Sequence, residues 1–239
     1  MSVNLINNSS LKSIFLNKCN EKAKIFLFFC KKVNVELLRE DFEFNDVKVY
    51  TMSYMDFNPL DYLDNLTELE KERFFTFKHI QRKREFVATR VLRHQVFGFE
   101  HIHYDEVGAP YINQEGYISI SHTKNLVGFA LCKKFKIGFD LEHIQNKITN
   151  IKHKFLSEKE IDNFEESPSE LTKIWSAKET LYKLSGEKGL NFRTNIELEK
   201  ISLDTWKGII KSNISEKTTT IKIALINNTV LSFNISACE

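Results

Sequence analysis

The apolar and polar positions of the chain alternate with a period of two in several short stretches. Residues 47–54 and 117–121 alternate in this way, which predicts strands because successive side chains of a strand point to opposite faces. Residues 126–132 are more continuously apolar and are predicted to form a hairpin with 117–121, across a turn at 122–125. Further strands are predicted at residues 196–203, 219–226 and 229–236.

Two helix starts share one signature. Thr67 is followed three residues later by Glu70, and Ser157 is followed in the same way by Glu160, so each pair predicts a capping box. Each box is expected to open a short charged helix that is followed by a longer one. The first long helix is predicted over residues 80–97 and is expected to end at Gly98. Its apolar stripe consists of Phe86, Val87, Val91 and Leu92.

The order of elements repeats along the chain. The two capping boxes lie 90 residues apart, and strands follow the long helix both times. This predicts an α+β fold, a pseudo-dimer of two similar α+β halves with the active site in the cleft between them. We expect an N-terminal extension without an assigned role at residues 1–45, an N-terminal half at 46–133 and a C-terminal half at 134–239. With the same offset of 90 residues, Arg84 of the first half corresponds to Ile174 of the second half.

Composition narrows the class of protein. Apolar residues make up 42% of the chain, which is ordinary for a globular protein. We see no apolar run of about 18 residues and no secretory signal, so no membrane span and a cytoplasmic location are expected. The cysteines are not arranged as C-x-x-C pairs, which favours reduced thiols over a zinc site or disulfides. With a net charge of only +2, a basic surface can arise only by local clustering.

Acidic side chains from two segments carry the candidate chemistry. Asp140 and Glu142 are two apart on a predicted strand, so they share a face. Glu179 and Lys183 are four apart on a predicted helix and share one side of it. Three carboxylates brought together repel one another unless a cation lies among them. Mg²⁺ prefers oxygen ligands and is often bound together with phosphates, so we expect magnesium-dependent phosphoryl chemistry with Lys183 at its edge.

Structural roles are the alternatives for the same residues. A single D-x-E pattern is common at solvated strand ends, and Lys183 can simply pair with Glu179, which is worth about 0.2–0.5 kcal/mol. His122 can be a structural histidine. Trp175 is interpreted as a core residue, and Lys178 as an ion-pair partner that holds its helix.

Three ordered motifs resemble those of one family. They are Ile-Ser-His-Thr at residues 120–123, Gly-Phe-Asp-Leu-Glu at 138–142, and Trp-Ser-Ala-Lys-Glu followed by a lysine at 175–183. Together they are similar to the 4′-phosphopantetheinyl transferase superfamily, in its long two-half branch typified by the surfactin-synthetase-activating enzyme. The resemblance begins near residue 47 and is strongest over 118–190. It implies an enzyme of the holo-[acyl-carrier-protein] synthase type, which moves the phosphopantetheine arm of coenzyme A onto a carrier-protein serine and releases adenosine 3′,5′-bisphosphate.

The resemblance implies a role for each matching residue. The implied Mg²⁺ ligands are Asp140, Glu142 and Glu179, with Glu179 alternatively acting as the base that takes the serine proton. Lys183 is implied to neutralise the pyrophosphate. The implied contacts of the 3′-phosphate of coenzyme A are Arg84, Ser121 and His122. The family often has a further phosphate-binding lysine before a proline, where this chain has Ala109-Pro110; Lys124 is a candidate substitute.

The partners follow from the same resemblance. We expect a monomer that binds coenzyme A and an acidic apo acyl or peptidyl carrier protein, but no nucleic acid and no membrane. Three alternatives stay open. The cationic helix over residues 80–97 can bind nucleic acid, the acidic triad can serve a Mg²⁺-dependent nucleotide hydrolase, and a degenerate relative can bind coenzyme A or a carrier protein without catalysis.

Overall fold

Within its described residues, the chain folds as two antiparallel sheets with helices packed on them. We call the first sheet with α1 and α2 the first half, and the second sheet with α3 and α4 the second half. A computed structural model describes residues 24–29, 36–54, 57–113, 115–212 and 215–239, with side chains from Glu40 onward. The predicted α+β class is therefore confirmed. Cys19 and Cys30 lie outside the described residues, whereas Cys132 and Cys238 are free thiols.

The first sheet contains seven strands. They are β1 (Lys24–Phe29), β2 (Glu36–Phe44), β3 (Val47–Ser53), β4 (His103–Tyr104), β5 (Pro110–Ile112), β6 (Gly116–Thr123) and β7 (Leu126–Cys132). Their order across the sheet is β1-β2-β3-β7-β6-β5-β4. The predicted β6–β7 hairpin is confirmed. Part of the expected N-terminal extension, residues 24–29 and 36–44, adds two strands beyond β3.

The second sheet contains five strands. They are β8 (Phe139–His143), β9 (Ile196–Lys200), β10 (Thr205–Lys211), β11 (Glu216–Ile226) and β12 (Thr229–Asn234), in the order β8-β12-β11-β10-β9. The sequence interpretation missed β10. Gly208 interrupts its apolar pattern because the main helix of this half packs there: a Cβ at Gly208 would lie 2.6 Å from Leu181 Cδ2.

Four α-helices cover the sheets. They are α1 (Glu68–Thr76), α2 (Ile80–Phe97), α3 (Glu158–Asn163) and α4 (Pro168–Ser185), with 3₁₀ segments at Pro59–Asn65 and Asn146–Lys154. Both predicted capping boxes form at the starts of α1 and α3. Gly98 ends α2 with φ of 66°, in the left-handed half of the Ramachandran map that glycine tolerates. Among the described helices, none combines the length and apolarity that crossing a bilayer requires.

Clusters of buried apolar side chains hold these layers together. The predicted stripe of α2 is buried against β3 and β7, including Met52, Val127 and Phe129. Helix α4 buries Ile174 and Leu181 against the second sheet. A third cluster joins the two sheets through residues of both halves, with Val49 and Cys132 on one side and Phe139, Leu141 and Leu231 on the other.

Each half also buries an ionic contact between its capping-box glutamate and its long helix. In the first half Glu70 accepts hydrogen bonds from Arg90 Nε at 3.2 Å and from Arg93 Nη2 at 2.8 Å. In the second half Glu160 pairs with Lys178 at 2.7 Å. Arg90 and Arg93 of α2 are therefore used in buried ion pairs. They do not add to the basic surface that the nucleic-acid alternative requires.

Lys178 confirms the expected structural role and extends it. Its ammonium group is fully buried and donates to the Glu160 carboxylate and to three backbone carbonyls, those of Phe155, Phe192 and Ile196, at 2.7–2.8 Å. A buried charge is tolerated only when such partners replace water. This cluster fixes α4 relative to α3 and to the loop that follows α4.

Replacing Lys178 tests whether its buried ion pair with Glu160 stabilises the fold. Lys178→Met should lower the free energy of unfolding by about 3–5 kcal/mol, because it leaves the Glu160 carboxylate buried without its cation. The matched control is Lys159→Met, which breaks the exposed Lys159–Glu199 pair and should cost less than about 1 kcal/mol. Urea unfolding of both variants measures the difference, and equal costs would show that the buried pair is not a stabilising tie.

Candidate active site at the junction of the halves

Two serine side chains of β6 bind the backbone of β8 and so join the two halves. Ser119 Oγ accepts from Phe139 N at 3.0 Å, and Ser121 Oγ accepts from Leu141 N at 3.2 Å. The side chains thus satisfy backbone donors of β8 on its side facing the first sheet. Asp140 lies between these two contacts and is placed directly at the junction.

The Asp140 carboxylate is buried and shared by both halves. Its Oδ1 accepts from Ser121 Oγ at 2.9 Å and from Lys183 Nζ at 2.8 Å. Lys183 also donates to Ser121 Oγ and to the carbonyl of Phe139, at 3.1 and 3.0 Å. The side-chain ion pair that the structure gives Lys183 is therefore with Asp140, and not the i,i+4 pair with Glu179 that was considered as the structural alternative. Asp140 Oδ2 is buried and has no hydrogen-bond partner.

Close packing of α4 on β8 and β12 brings Lys183 to Asp140. Gly138 makes this approach possible, since an added Cβ there would collide with the carbonyl of Thr180. Thr180 Oγ1 in turn donates to the carbonyl of Ser232 at 3.0 Å. The fully buried Asn234 accepts from Gly138 N at 2.7 Å and so holds the start of β8.

Glu142 and Glu179 lie in the electric field of the same carboxylate. Burial, and then the neighbouring Asp140 charge, raise the pKa of Glu142 to about 7, while a hydrogen bond from Trp175 Nε1 at 3.0 Å opposes the rise. Burial and Asp140 likewise raise the pKa of Glu179, which Lys183 partly offsets. Trp175 also packs against Phe155 and Phe192, so it combines the predicted core role with a contact to a candidate functional carboxylate.

The three carboxylates supply the oxygen ligands that Mg²⁺ prefers. Their negative charge is not fully compensated, because Asp140 Oδ2 is buried without a hydrogen-bond partner and the pKa of Glu142 is raised. The donor set therefore fits the ion chemically. As the side chains stand, however, no group of three or more His, Cys, Asp or Glu residues within the described ranges is arranged to hold a metal. Lys183 is the cation in contact with Asp140.

A cleft of about 440 Å³ opens beside this junction, and both halves line it. The first half contributes residues of α2, of β6 and of the loop 107–110. The second half contributes Ile137, the end of α4 and the loop after it, including Lys183 and Lys188. The cleft therefore connects the acidic junction with a set of cationic side chains.

His122 stands at this cleft within an ionic cluster. The structure corrects its predicted location, because β6 continues through Thr123 and His122 lies in the strand rather than in the turn. His122 Nε2 lies 2.9 Å from Glu85 Oε2 and 3.4 Å from Arg82 Nη1. Desolvation lowers the pKa of His122, and Arg82 and Lys183 add to this effect while Glu85 opposes it.

The other two residues predicted to bind the 3′-phosphate are placed differently. Arg84 is not among the described residues that line the cleft, and its Nε is buried without a hydrogen-bond partner. Ser121 is buried, and its hydroxyl is occupied by Asp140, Lys183 and the backbone of Leu141. Arg82, which belongs to the cationic helix over residues 80–97, is instead the arginine beside His122.

Sequence reasoning also missed Glu85 and the hydrogen bond between Trp175 and Glu142. The local signal for Glu85 was its position three residues after Arg82, which allows the observed helix pair at 3.4 Å. The contact of Glu85 with His122 joins α2 to β6, so no local sequence pattern predicts it.

One family comparison bears on this site. Residues 136–232 match the family model of the 4′-phosphopantetheinyl transferase superfamily. The matched segment contains β8 and α4, and with them the three carboxylates, Lys183 and Lys188. This segment, which is less than half of the chain, is therefore similar to that superfamily. No curated protein matches the sequence.

The raised pKa of Glu142 predicts a pH-dependent stability. Its pKa is about 7 in the folded protein against an ordinary value of 4.5, so folding strengthens proton binding at this carboxylate. The corresponding stability is complete below about pH 4.5 and is lost as the pH rises to about 7. Without added divalent ions, Glu142→Gln should therefore lose less stability than the wild type between about pH 5 and pH 8.

Urea unfolding at the two pH values measures this difference. Glu165→Gln, a change at an exposed position of the same half, is the control and should follow the wild type. An unchanged pH dependence in Glu142→Gln would mean that Glu142 does not titrate in this window.

Proposed function

We propose that this chain, which contains a segment similar to the phosphopantetheinyl transferase superfamily, moves the phosphopantetheine arm of coenzyme A onto a serine of an apo acyl or peptidyl carrier protein. The observation that carries the proposal is the Asp140–Lys183 pair at the junction, beside a cleft lined by cationic side chains of both halves. Carboxylates next to cations suit a diphosphate substrate that is bound with Mg²⁺.

Asp140, Glu142 and Glu179 would hold the Mg²⁺ ion. When bound, the ion would stabilise the negative charge that develops on the diphosphate oxygens. The support is chemical: oxygen donors from β8 and α4, an unpartnered buried oxygen on Asp140, and burial that together with Asp140 raises the pKa of Glu142 and of Glu179.

The transfer is a substitution at phosphorus. The serine oxygen of the carrier forms a bond to the phosphorus that bears the pantetheine arm, and the bond from this phosphorus to the bridging oxygen breaks. Adenosine 3′,5′-bisphosphate leaves with that oxygen. Glu179, whose pKa is raised, would accept the serine proton directly or through water if it is not fully occupied as a ligand. Lys183 would stabilise the diphosphate charge.

His122 and Arg82 would bind the 3′-phosphate of coenzyme A in the cleft. Their proximity, at 3.4 Å, and their position among the residues that line the cleft support this role. Arg82 thereby becomes a candidate beside Arg84, since a guanidinium group at the cleft can form two hydrogen bonds to a phosphate. An arriving phosphate would favour the protonated form of His122, whose pKa is lowered in the free protein.

The finer architectural predictions belong to the same proposal. The recurrence of a capping-box glutamate that binds a cation of a long helix supports two related halves that form a pseudo-dimer. A monomeric, cytoplasmic enzyme is part of the same proposal. Arg90 and Lys178, the ties in the two halves, each occupy the eleventh position of an 18-residue helix.

Transfer is tested by mixing the protein with coenzyme A, Mg²⁺ and an apo carrier protein and weighing the carrier. We expect a mass gain of one phosphopantetheine group. Asp140→Asn and Glu179→Gln should remove the activity, with a loss of about 10²–10⁴-fold expected for a missing general base. Circular dichroism verifies the fold of each variant, and Glu165→Gln is the control. Wild-type rates in either site variant would remove that carboxylate from the mechanism, and phosphate release without carrier modification would favour a hydrolase.

The phosphate assignment has its own test. His122→Ala and Arg82→Ala should raise the KM for coenzyme A by about tenfold, the effect of one lost charge-assisted contact, with little change in kcat. With 3′-dephospho coenzyme A the variants and the wild type should have similar KM values. Arg84→Ala, measured alongside, decides which arginine contributes. Equal losses with both donors would place these residues away from the 3′-phosphate.

A further inference from the structure

Most of the cationic side chains that line the cleft are already paired with carboxylates. Arg82 and His122 both contact Glu85, Arg90 contacts Glu70, and Lys183 contacts Asp140. Each of these pairs offsets the positive charge that an anionic ligand would otherwise meet.

Lys188 differs from these residues. It lines the same cleft, it is exposed, and within the described part of the chain it forms no ion pair. Its neighbour Glu187 also lines the cleft, and the two make no ion pair with each other. Of the cleft-lining cations that the structure describes, Lys188 is thus the one available to a ligand without first leaving a carboxylate.

The loop that carries Lys188 lies beside the loop 107–110, and both line the cleft. Gly186 and Gly189 flank the lysine with φ values of 68° and 83°, so the chain turns sharply on both sides of it. A Cβ at Gly186 would lie 3.9 Å from Val107 Cγ2, which places the two loops in contact. The Val107 loop itself brings no charged side chain to its wall, since its other members are Gly108, Ala109 and Pro110.

We infer that Lys188 binds a phosphate group of coenzyme A and supplies, from the C-terminal half, the positive charge that the Ala109 wall lacks. The inference rests on the proposed function, because it takes coenzyme A as the ligand. A flexible ammonium group at an uncharged wall suits a diphosphate or a 3′-phosphate, and Tyr182 and the carbon atoms of Val107 provide apolar surface beside it. Lys188 is a binding residue in this assignment and takes no part in proton transfer.

Calorimetric titration with coenzyme A and Mg²⁺ tests the assignment directly, without requiring transfer. Lys188→Ala should bind coenzyme A about tenfold more weakly than the wild type, as expected for one lost charge-assisted contact. Lys154→Ala, which removes an exposed lysine at the end of the 3₁₀ segment Asn146–Lys154 and does not change a residue that lines the cleft, is the matched control and should bind as the wild type does.

A second variant distinguishes lost charge from lost structure. Ala109 uses its backbone N–H and carbonyl to bind Asp105, so its side chain is free to be changed. Adding Ala109→Lys to Lys188→Ala should restore most of the affinity by placing a cation on the neighbouring loop of the cleft. Titration with 3′-dephospho coenzyme A then identifies the phosphate. Equal affinities of wild type and Lys188→Ala indicate the 3′-phosphate, and a persistent deficit indicates the diphosphate.

The outcomes separate this inference from the proposed function. If the wild type does not bind coenzyme A, the proposed function is wrong. If the wild type binds it and Lys188→Ala binds it equally well, the transferase proposal stands and the role of Lys188 is overturned.

Discussion

A single buried carboxylate, that of Asp140, depends on both halves of the protein. Ser121 reaches it from β6 and Lys183 reaches it from α4. An ionised carboxylate loses its water when it is buried, so it requires such donors to remain charged. The two halves must therefore dock before this charge is satisfied, and the same docking creates the cleft beside it.

The burial of further charges extends this arrangement. Glu70 and Glu160 begin as ordinary capping residues, yet each also binds a cation of the long helix in its half. These contacts set the positions of α2 and α4, which supply most of the cationic side chains at the cleft. Local helix capping and the geometry of the candidate site are thus linked through two glutamates.

The charge in the site is only partly compensated. Asp140 has one oxygen without a partner, and burial together with Asp140 raises the pKa of both Glu142 and Glu179. Buried negative charge without a partner destabilises the folded protein, and a bound cation removes that cost. The five-stranded sheet and α4 provide the rigid support for that charge, in the segment that matches the transferase superfamily.

Local chemistry explains what could be predicted and what could not. Capping boxes, the β6–β7 hairpin and the stripe of α2 follow from contacts between residues close in the chain, and the prediction of each is confirmed. Strand β10 was missed because Gly208 breaks its apolar pattern. A side chain at this position would collide with Leu181 of α4, and that contact cannot be seen from residues close in the chain.

The sequence by itself determined the α+β class, the acidic pair of β8 and the helix that carries Glu179 and Lys183, because period and spacing place side chains within one element. Only the tertiary structure decided the partners: Lys183 with Asp140 rather than Glu179, and Arg82 rather than Arg84 beside His122. These choices depend on which helix face meets which strand. Packing across 40 or more residues of intervening chain settles that, and no local pattern records it.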